Sequence, residues 1–255
     1  MRPAVYYFGG KHRVAGGVWE RLGDTTAYIE PFCGSASVLL ARPPCHERRH
    51  EVINDLDGFV VNFYRAVRAA PEEVARHADW PVSQLDYLAR HAWLQARRRD
   101  WAARLRDPEW YDARAAGWWC WGANLSIGNG WGRGYLLNTR PHVGRRRGLR
   151  READPVAYLR QLAERLRPVT ILCTDWRRAV TACLTDELAP GQGDTVGIFF
   201  DAPYRWASGR QARLYAEDHP TVAEDVARWA AVRGEDPRFA VVVGLQGSVE
   251  EERHG

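Results

Sequence analysis

The sequence predicts an α/β fold built on a parallel sheet. Two observations predict it. Five short runs, rich in apolar and β-branched residues, read as buried strands, and helical patterns lie between them. Such alternation makes a parallel sheet covered on both faces, with ligands held at the carboxyl ends of its strands.

The strands fall at residues 27–32 (AYIEPF), 51–55 (EVIND), 169–173 (VTILC), 195–201 (TVGIFFD) and 239–244 (FAVVVG). Residues 35–40 begin a helix after a glycine, and residues 59–69 form another. Residues 155–166 place Val156, Leu159, Leu162 and Leu166 on one helical face. Residues 221–232 form a helix for which Thr221 is the expected N-cap.

Between residues 70 and 154 the alternation stops. The chain there reads as mainly helical to about Ala116, then turns glycine- and asparagine-rich. The stretch GWWCWGANLSIGNGWGRGYLLNTRPHVGRRRG has no sustained period and reads as turns and short hairpins exposing Trp, Asn and Arg. A linker does not carry this many tryptophans, so residues 70–154 are expected to be an inserted recognition module. The flanking segments, 1–69 and 155–255, then form one discontinuous domain.

The 255 residues suffice for one large domain, and a hydrophobic fraction of 45% supplies a core. The sequence has no apolar run long enough to span a bilayer, and MRPAVYYFGGKHR lacks the apolar stretch of a leader. Five cysteines with no CxxC pair argue against a zinc site or a disulfide framework, so no metal is expected and a reducing cytoplasm is the expected home. Net charge is only +4, but Arg97 to Arg99 and Arg145 to Arg147 are basic clusters in a chain with twelve tryptophans. Guanidinium groups meet phosphates and indoles stack on bases, so nucleic acid is a fitting partner; a solvated arginine-rich face has the same composition. Of 36 basic residues only Lys11 is lysine. A compact ammonium fits where a planar fork does not.

The strand ends carry the chemistry. Tyr7-Phe8-Gly9-Gly10-Lys11 combines two glycines with the single lysine, although most such turns are only turns. Glu30-Pro31-Phe32-Cys33-Gly34-Ser35-Ala36-Ser37 follows the first strand, and its small residues let a cofactor approach the backbone. It is neither a Walker loop nor GxGxxG, and an ordinary tight turn is the lesser alternative. Asn54-Asp55-Leu56-Asp57 ends the second strand, where an acid can grip ribose hydroxyls, cap a helix, or both. Cys173-Thr174-Asp175-Trp176 and Asp201-Ala202-Pro203-Tyr204 end the third and fourth strands. One sheet edge thus receives three acids and a small-residue turn.

In that order these motifs resemble the Dam-like DNA adenine methyltransferases, marked by a DPPY motif. YFGGK is similar to the family's N-terminal cofactor motif, EPFCGSASV to its EPFxGxGSV turn, IND to its second acidic motif, TDW to its third, and DAPY to the catalytic DPPY. The segment from Trp121 to Thr139, with Asn124, resembles the family's NxxGxFN-type region before a basic recognition hairpin. The resemblance implies a Rossmann-like methyltransferase sheet, S-adenosyl-L-methionine as cofactor and DNA as partner. It places Tyr7 and Lys11 at the methionine end of the cofactor, Phe32 and Gly34 in its pocket, Asp55 on the ribose, and Asp175 on the adenine amine. Asp201, Ala202, Pro203 and Tyr204 become the catalytic group, with Asp201 touching both cofactor and target base. Asn124, Arg133, Arg140, Arg145, Arg146 and Arg147 are the candidate DNA contacts. The target base must leave the duplex to be reached.

The sequence departs from the pattern in three places. Ala36 stands where glycine is commoner. Ala202 replaces the first proline of DPPY, which keeps the carbonyl but frees φ and predicts reduced activity. Only eleven residues follow FAVVVG, too few for the family's antiparallel C-terminal hairpin. The fifth strand is then an apolar edge open to self-association, unless a partner covers it or the native chain is longer. Two other readings keep the same residues: a non-catalytic nucleic-acid-binding relic, or the same chemistry on cytosine or RNA.

Overall fold

The computed structural model describes residues 1–6, 11–44, 50–126, 131, 136, 139–144, 146–202 and 221–244. Its centre is a five-stranded parallel sheet: β1 (Ala27–Glu30), β2 (His50–Asn54), β3 (Val169–Leu172), β4 (Val196–Phe200) and β5 (Phe239–Val243), in the order β3-β2-β1-β4-β5. The register pairs Ile29 with Val52 on one side of β1 and with Ile198 on the other. Each strand sits where the apolar run predicted it; β2 is shifted by one residue and the others are shortened by one or two.

Successive side chains leave a strand on opposite faces, and here both faces are buried. Tyr28, Ile53 and Phe199 belong to one core cluster, covered by α1 (Ala15–Leu22), α2 (Ser37–Leu40), α3 (Gly58–Ala69) and α7 (Pro155–Leu166). Ala27, Ile29, Val52, Ile198 and Phe200 point into the other, covered by a 3-10 turn (Trp176–Val180), α8 (Ala182–Leu188) and α9 (Val222–Arg233). At the amino edge of the sheet, buried Glu51 accepts from Arg42 at 3.2 Å and from Arg165 at 2.6 and 2.7 Å. A carboxylate buried this deeply requires such partners. Among the described residues β5 is an outer strand, and residues 245–255 lie outside the described part.

The remaining helices are α4 (Pro71–Ala78), α5 (Gln84–Arg104) and α6 (Ala113–Ala123). They share a core with the sheet: Phe59 and Phe63 of α3 pack on Trp101 of α5 and Trp119 of α6, with ring centroids 4.8 and 5.6 Å apart. Arg65 of α3 donates to the carbonyls of Leu105, Asp107 and Trp110. Arg98 of α5 reaches Asp57 at 3.5 Å.

Two sequence expectations are corrected here. Residues 117–123 (GWWCWGA) belong to helix α6 rather than to turns, and Trp119, Trp121 and Trp131 are buried rather than exposed. The glycines explain the error. A Cβ on Gly117 would lie 2.4 Å from the His77 Cβ, and one on Gly122 would collide with the Trp131 ring. They permit close packing within a helix, not turns. Thr221 occupies the N-cap position of α9, but its side chain makes no capping bond. Asp57, Ser83, Asp112 and Asp154 do cap their helices, each accepting a backbone N–H.

Candidate functional site

From β1 the chain winds outward through β2 to β3, and from β4 outward to β5. The order of crossing reverses between β1 and β4, and in open parallel sheets the ligand crevice opens there, beyond the carboxyl ends.

On the β1 side the turn is tight. Cys33 N–H donates to the Asn54 carbonyl at 2.9 Å, and Ala36 N–H donates to the Cys33 carbonyl at 2.6 Å. Gly34 and Ala36 both adopt left-handed backbone, with φ of 46° and 51°. Ala36 is fully buried. An alanine held there costs about 1–2 kcal/mol relative to glycine. The turn therefore needs a left-handed residue at the position where the sequence departs from glycine.

Asn54 and Asp55 lock the ends of β1, β2 and β3 together. The Asn54 side-chain amide donates to the carbonyls of Pro31 and Thr174, at 2.9 and 3.0 Å, and its oxygen accepts Thr174 N–H at 3.0 Å. Asp55 accepts Gly34 N–H and Asp57 N–H, each at 2.9 Å. Burial, aided by the charge of Asp57, raises the Asp55 carboxyl to about 7 despite those two donors. Tyr64 completes the turn, donating to the Gly34 carbonyl at 2.8 Å.

At the end of β3, Asp175 is exposed and caps the turn Trp176–Val180. Arg177 lies between Asp175 at 3.3 Å and Asp225 of α9 at 2.6 Å. Phe32 is half-buried, its ring 6.3 Å from Trp176 and 6.4 Å from Phe200, an aromatic floor beside the β1 turn.

At the end of β4, Asp201 meets the single lysine: Lys11 Nζ lies 2.7 Å from Asp201 Oδ1, with both side chains mostly buried. Behind them Glu30 is 3% exposed and accepts Leu39 N–H and the Tyr28 hydroxyl, both at 3.1 Å. Burial is the main cause that raises its carboxyl to about 8, and the charge of Asp201 adds to the effect. Ala202 is buried in the second core cluster.

Residues 7–96 match the family described as D12 class N6 adenine-specific DNA methyltransferase. The matched span contains Tyr7, Lys11, Phe32, Gly34 and Asp55, and it supports an adenine-specific DNA methyltransferase. No curated protein matches the chain.

The residues that the resemblance assigns to the crevice are brought together in part. Lys11, Phe32, Gly34, Asp55, Asp175, Asp201 and Ala202 all lie at the carboxyl edge; Tyr7, Pro203 and Tyr204 fall outside the described residues. So do Arg133 and Arg145 among the expected DNA contacts. Arg140 and Arg146 are exposed, and the Arg147 guanidinium stacks on the Tyr6 ring 4.7 Å from its centroid. Asn124 is buried: its amide donates to the Ala4 carbonyl at 2.9 Å and its oxygen accepts Tyr6 N–H at 2.7 Å. It fastens the backbone that leads into Tyr7 and Lys11 and does not present its amide at the surface. Glu30, Asn54, Tyr64 and Arg177 were not singled out from sequence. Glu30 and Asn54 sit inside quoted motifs; nothing local marks Tyr64 or Arg177. No helix among the described residues is long and apolar enough to cross a membrane, and no group of His, Cys, Asp and Glu there could hold a metal ion.

Proposed function

We propose that the chain transfers a methyl group from S-adenosyl-L-methionine to the exocyclic amine of an adenine flipped out of DNA. The observation that carries this reading is the Lys11–Asp201 pair at the switch point, beside the left-handed Gly34–Ala36 turn.

The residues at the edge fit such a cofactor. Asp55 spends two acceptor positions on backbone N–H groups, and a carboxylate has about four, so two remain for ribose hydroxyls. Asp175 has an exposed carboxylate for the adenine amine, and Phe32 gives an apolar wall between them. When bound, S-adenosyl-L-methionine supplies an electrophilic methyl group.

The chain's own work is positioning. An adenine amine is a weak nucleophile, because its lone pair is delocalised into the ring. Asp201 accepts a hydrogen bond from one of its N–H groups, which favours pyramidal nitrogen. As the nitrogen–methyl bond forms the methyl–sulfur bond would break, and the surplus amine proton would leave through Asp201 to solvent. The Ala202 carbonyl accepts from the other N–H group. Lys11 balances the Asp201 carboxylate and fixes its direction. Tyr204 stacks on the base, offsetting at roughly 1–3 kcal/mol much of the few kcal/mol that flipping costs. No metal enters this scheme; orientation and electrostatics lower the barrier. Residues 70–154 serve as the target-recognition module, with Arg133, Arg140, Arg145, Arg146 and Arg147 on the DNA, and the reaction belongs in the cytoplasm.

A second reading rests on Ala202. Without the first proline of DPPY the chain binds DNA but no longer turns over. Purified protein with methyl-labelled cofactor and duplex DNA separates the two. The proposal requires label in DNA that Asp201→Ala abolishes; DNA binding without label, not restored by Ala202→Pro, leaves the relic.

A further inference from the structure

Helices α5 and α6 carry arginines and tryptophans in alternation. The Arg97 guanidinium lies 3.8 Å from the centre of the Trp93 ring. Arg114 lies 4.7 Å from the same ring and 5.6 Å from Trp118. Arg90 follows, 5.1 Å from Trp118, 4.4 Å from Trp121 and 5.3 Å from Trp80. Trp93 and Trp118 meet edge to face, 5.1 Å apart. The series is a ladder of stacked cations running from the surface into the core.

Its two ends differ. Arg90 is buried, and one of its terminal nitrogens has no hydrogen-bond partner. Three indole faces surround it instead, so this end is structural. Arg97 and Arg114 are exposed, and among the described residues neither has an acidic partner. A guanidinium stacked on a ring keeps its in-plane N–H groups, which form a fork that matches a phosphate. Arg97 spends one N–H on the Trp93 carbonyl at 3.3 Å; its remaining N–H groups and those of Arg114 suit a repeated anion.

Helix α5, which carries Arg90 and Arg97, reaches the crevice. Arg98, the next residue along α5, pairs with Asp57 at the carboxyl edge of the sheet. From Arg90 to Arg98 the helix rises only about 12 Å. DNA with one base in the crevice must continue past it in both directions.

We propose that Arg97 and Arg114 form a second DNA-contact surface, which takes phosphates flanking the methylated base. This rests on the DNA-methyltransferase reading. The surface is separate from the recognition arginines between 133 and 147. It adds affinity without sequence preference, because phosphate contacts carry none directly.

The test is fluorescence anisotropy with a 30-bp duplex of arbitrary sequence, titrated across a range of salt. The Arg97→Gln/Arg114→Gln double variant is expected to bind more weakly, with a log–log salt slope less steep by about 2. Arg97→Lys/Arg114→Lys keeps the charges and is expected to keep the slope. Thermal melting establishes that each variant is folded. If the double variant does not fold, Arg97→Gln alone is expected to reduce the slope by about 1. Unchanged slope and affinity in the folded Gln variant would overturn the proposal and leave Arg97 and Arg114 as a solvated face. No DNA binding by the wild type would instead overturn the methyltransferase reading on which it rests.

Discussion

Lys11 Nζ and Asp201 Oδ1 lie 2.7 Å apart, joining the chain's single lysine to the aspartate that ends β4. Residues 70–154 lie between the two in sequence, and the reversal of strand order brings them together. The family resemblance placed Lys11 on the cofactor. In the proposed reading the ion pair gives it a second task, orienting the carboxylate that would receive the adenine amine.

Removing that ammonium tests the task. Lys11→Met is expected to lower kcat about 100-fold, since a misdirected group at the reacting centre costs that much. Lys11→Arg recovers part of the loss, because charge returns but not shape. Steady-state methyl transfer reads both. An unchanged kcat with a raised KM for the cofactor would assign Lys11 to the cofactor alone.

Glu30 sets a pH dependence. Its carboxyl is raised from 4.5 to about 8 in the fold, chiefly by burial, so the folded state holds a proton that the unfolded chain releases earlier. Stability is therefore full below about pH 4.5, falls as pH rises toward 8, and levels off above. Glu30→Gln keeps an acceptor for Leu39 N–H and removes the titration. Urea denaturation is expected to show no difference at pH 4.5 and a gain for the variant at pH 8, a few kcal/mol at most. A variant less stable than wild type at pH 8 would contradict this.

Ala36→Gly is expected to stabilise the fold slightly. Glycine relieves about 1–2 kcal/mol of left-handed strain and gives up about 0.8 kcal/mol of buried methyl. The net gain is about 1 kcal/mol or less, readable as a shift in the denaturation midpoint. A clear loss of stability would mean that the methyl packs better than its strain suggests.

Asn124→Ala separates a structural amide from a DNA reader. The substitution takes one bond from the buried Ala4 carbonyl, which keeps Leu149 N–H, and leaves Tyr6 N–H without its acceptor, at about 1–3 kcal/mol in all. Lower thermal stability without DNA present is the expected outcome. Full stability with weaker DNA binding would return Asn124 to the recognition surface.

These residues also show what sequence can and cannot reveal. The strands were legible because a sheet buried on both faces needs near-continuous apolar runs, and the acids that close those runs mark its functional edge. The tryptophan-rich helix α6 was not, because Gly117 and Gly122 look like turn residues when only their neighbours in sequence are visible. The burial of Asn124 was hidden for the same reason: its partners Ala4 and Tyr6 are remote in sequence. Lys11 stood out by composition, yet nothing local could name Asp201 as its partner. Arg177 left no sequence signal, because its partners Asp175 and Asp225 come together only through the packing of α9.

The most direct measurement is nucleoside mass spectrometry of DNA methylated by the purified protein, run with wild type, Asp201→Ala and Ala202→Pro. Ala202 is the weak point of the catalytic motif, and among the described residues its N–H makes no backbone hydrogen bond that proline would break. The expected result is N6-methyladenine with wild type, none with Asp201→Ala, and severalfold more with Ala202→Pro. N4-methylcytosine, methylated RNA alone, or no methylated nucleoside from any variant would contradict the account.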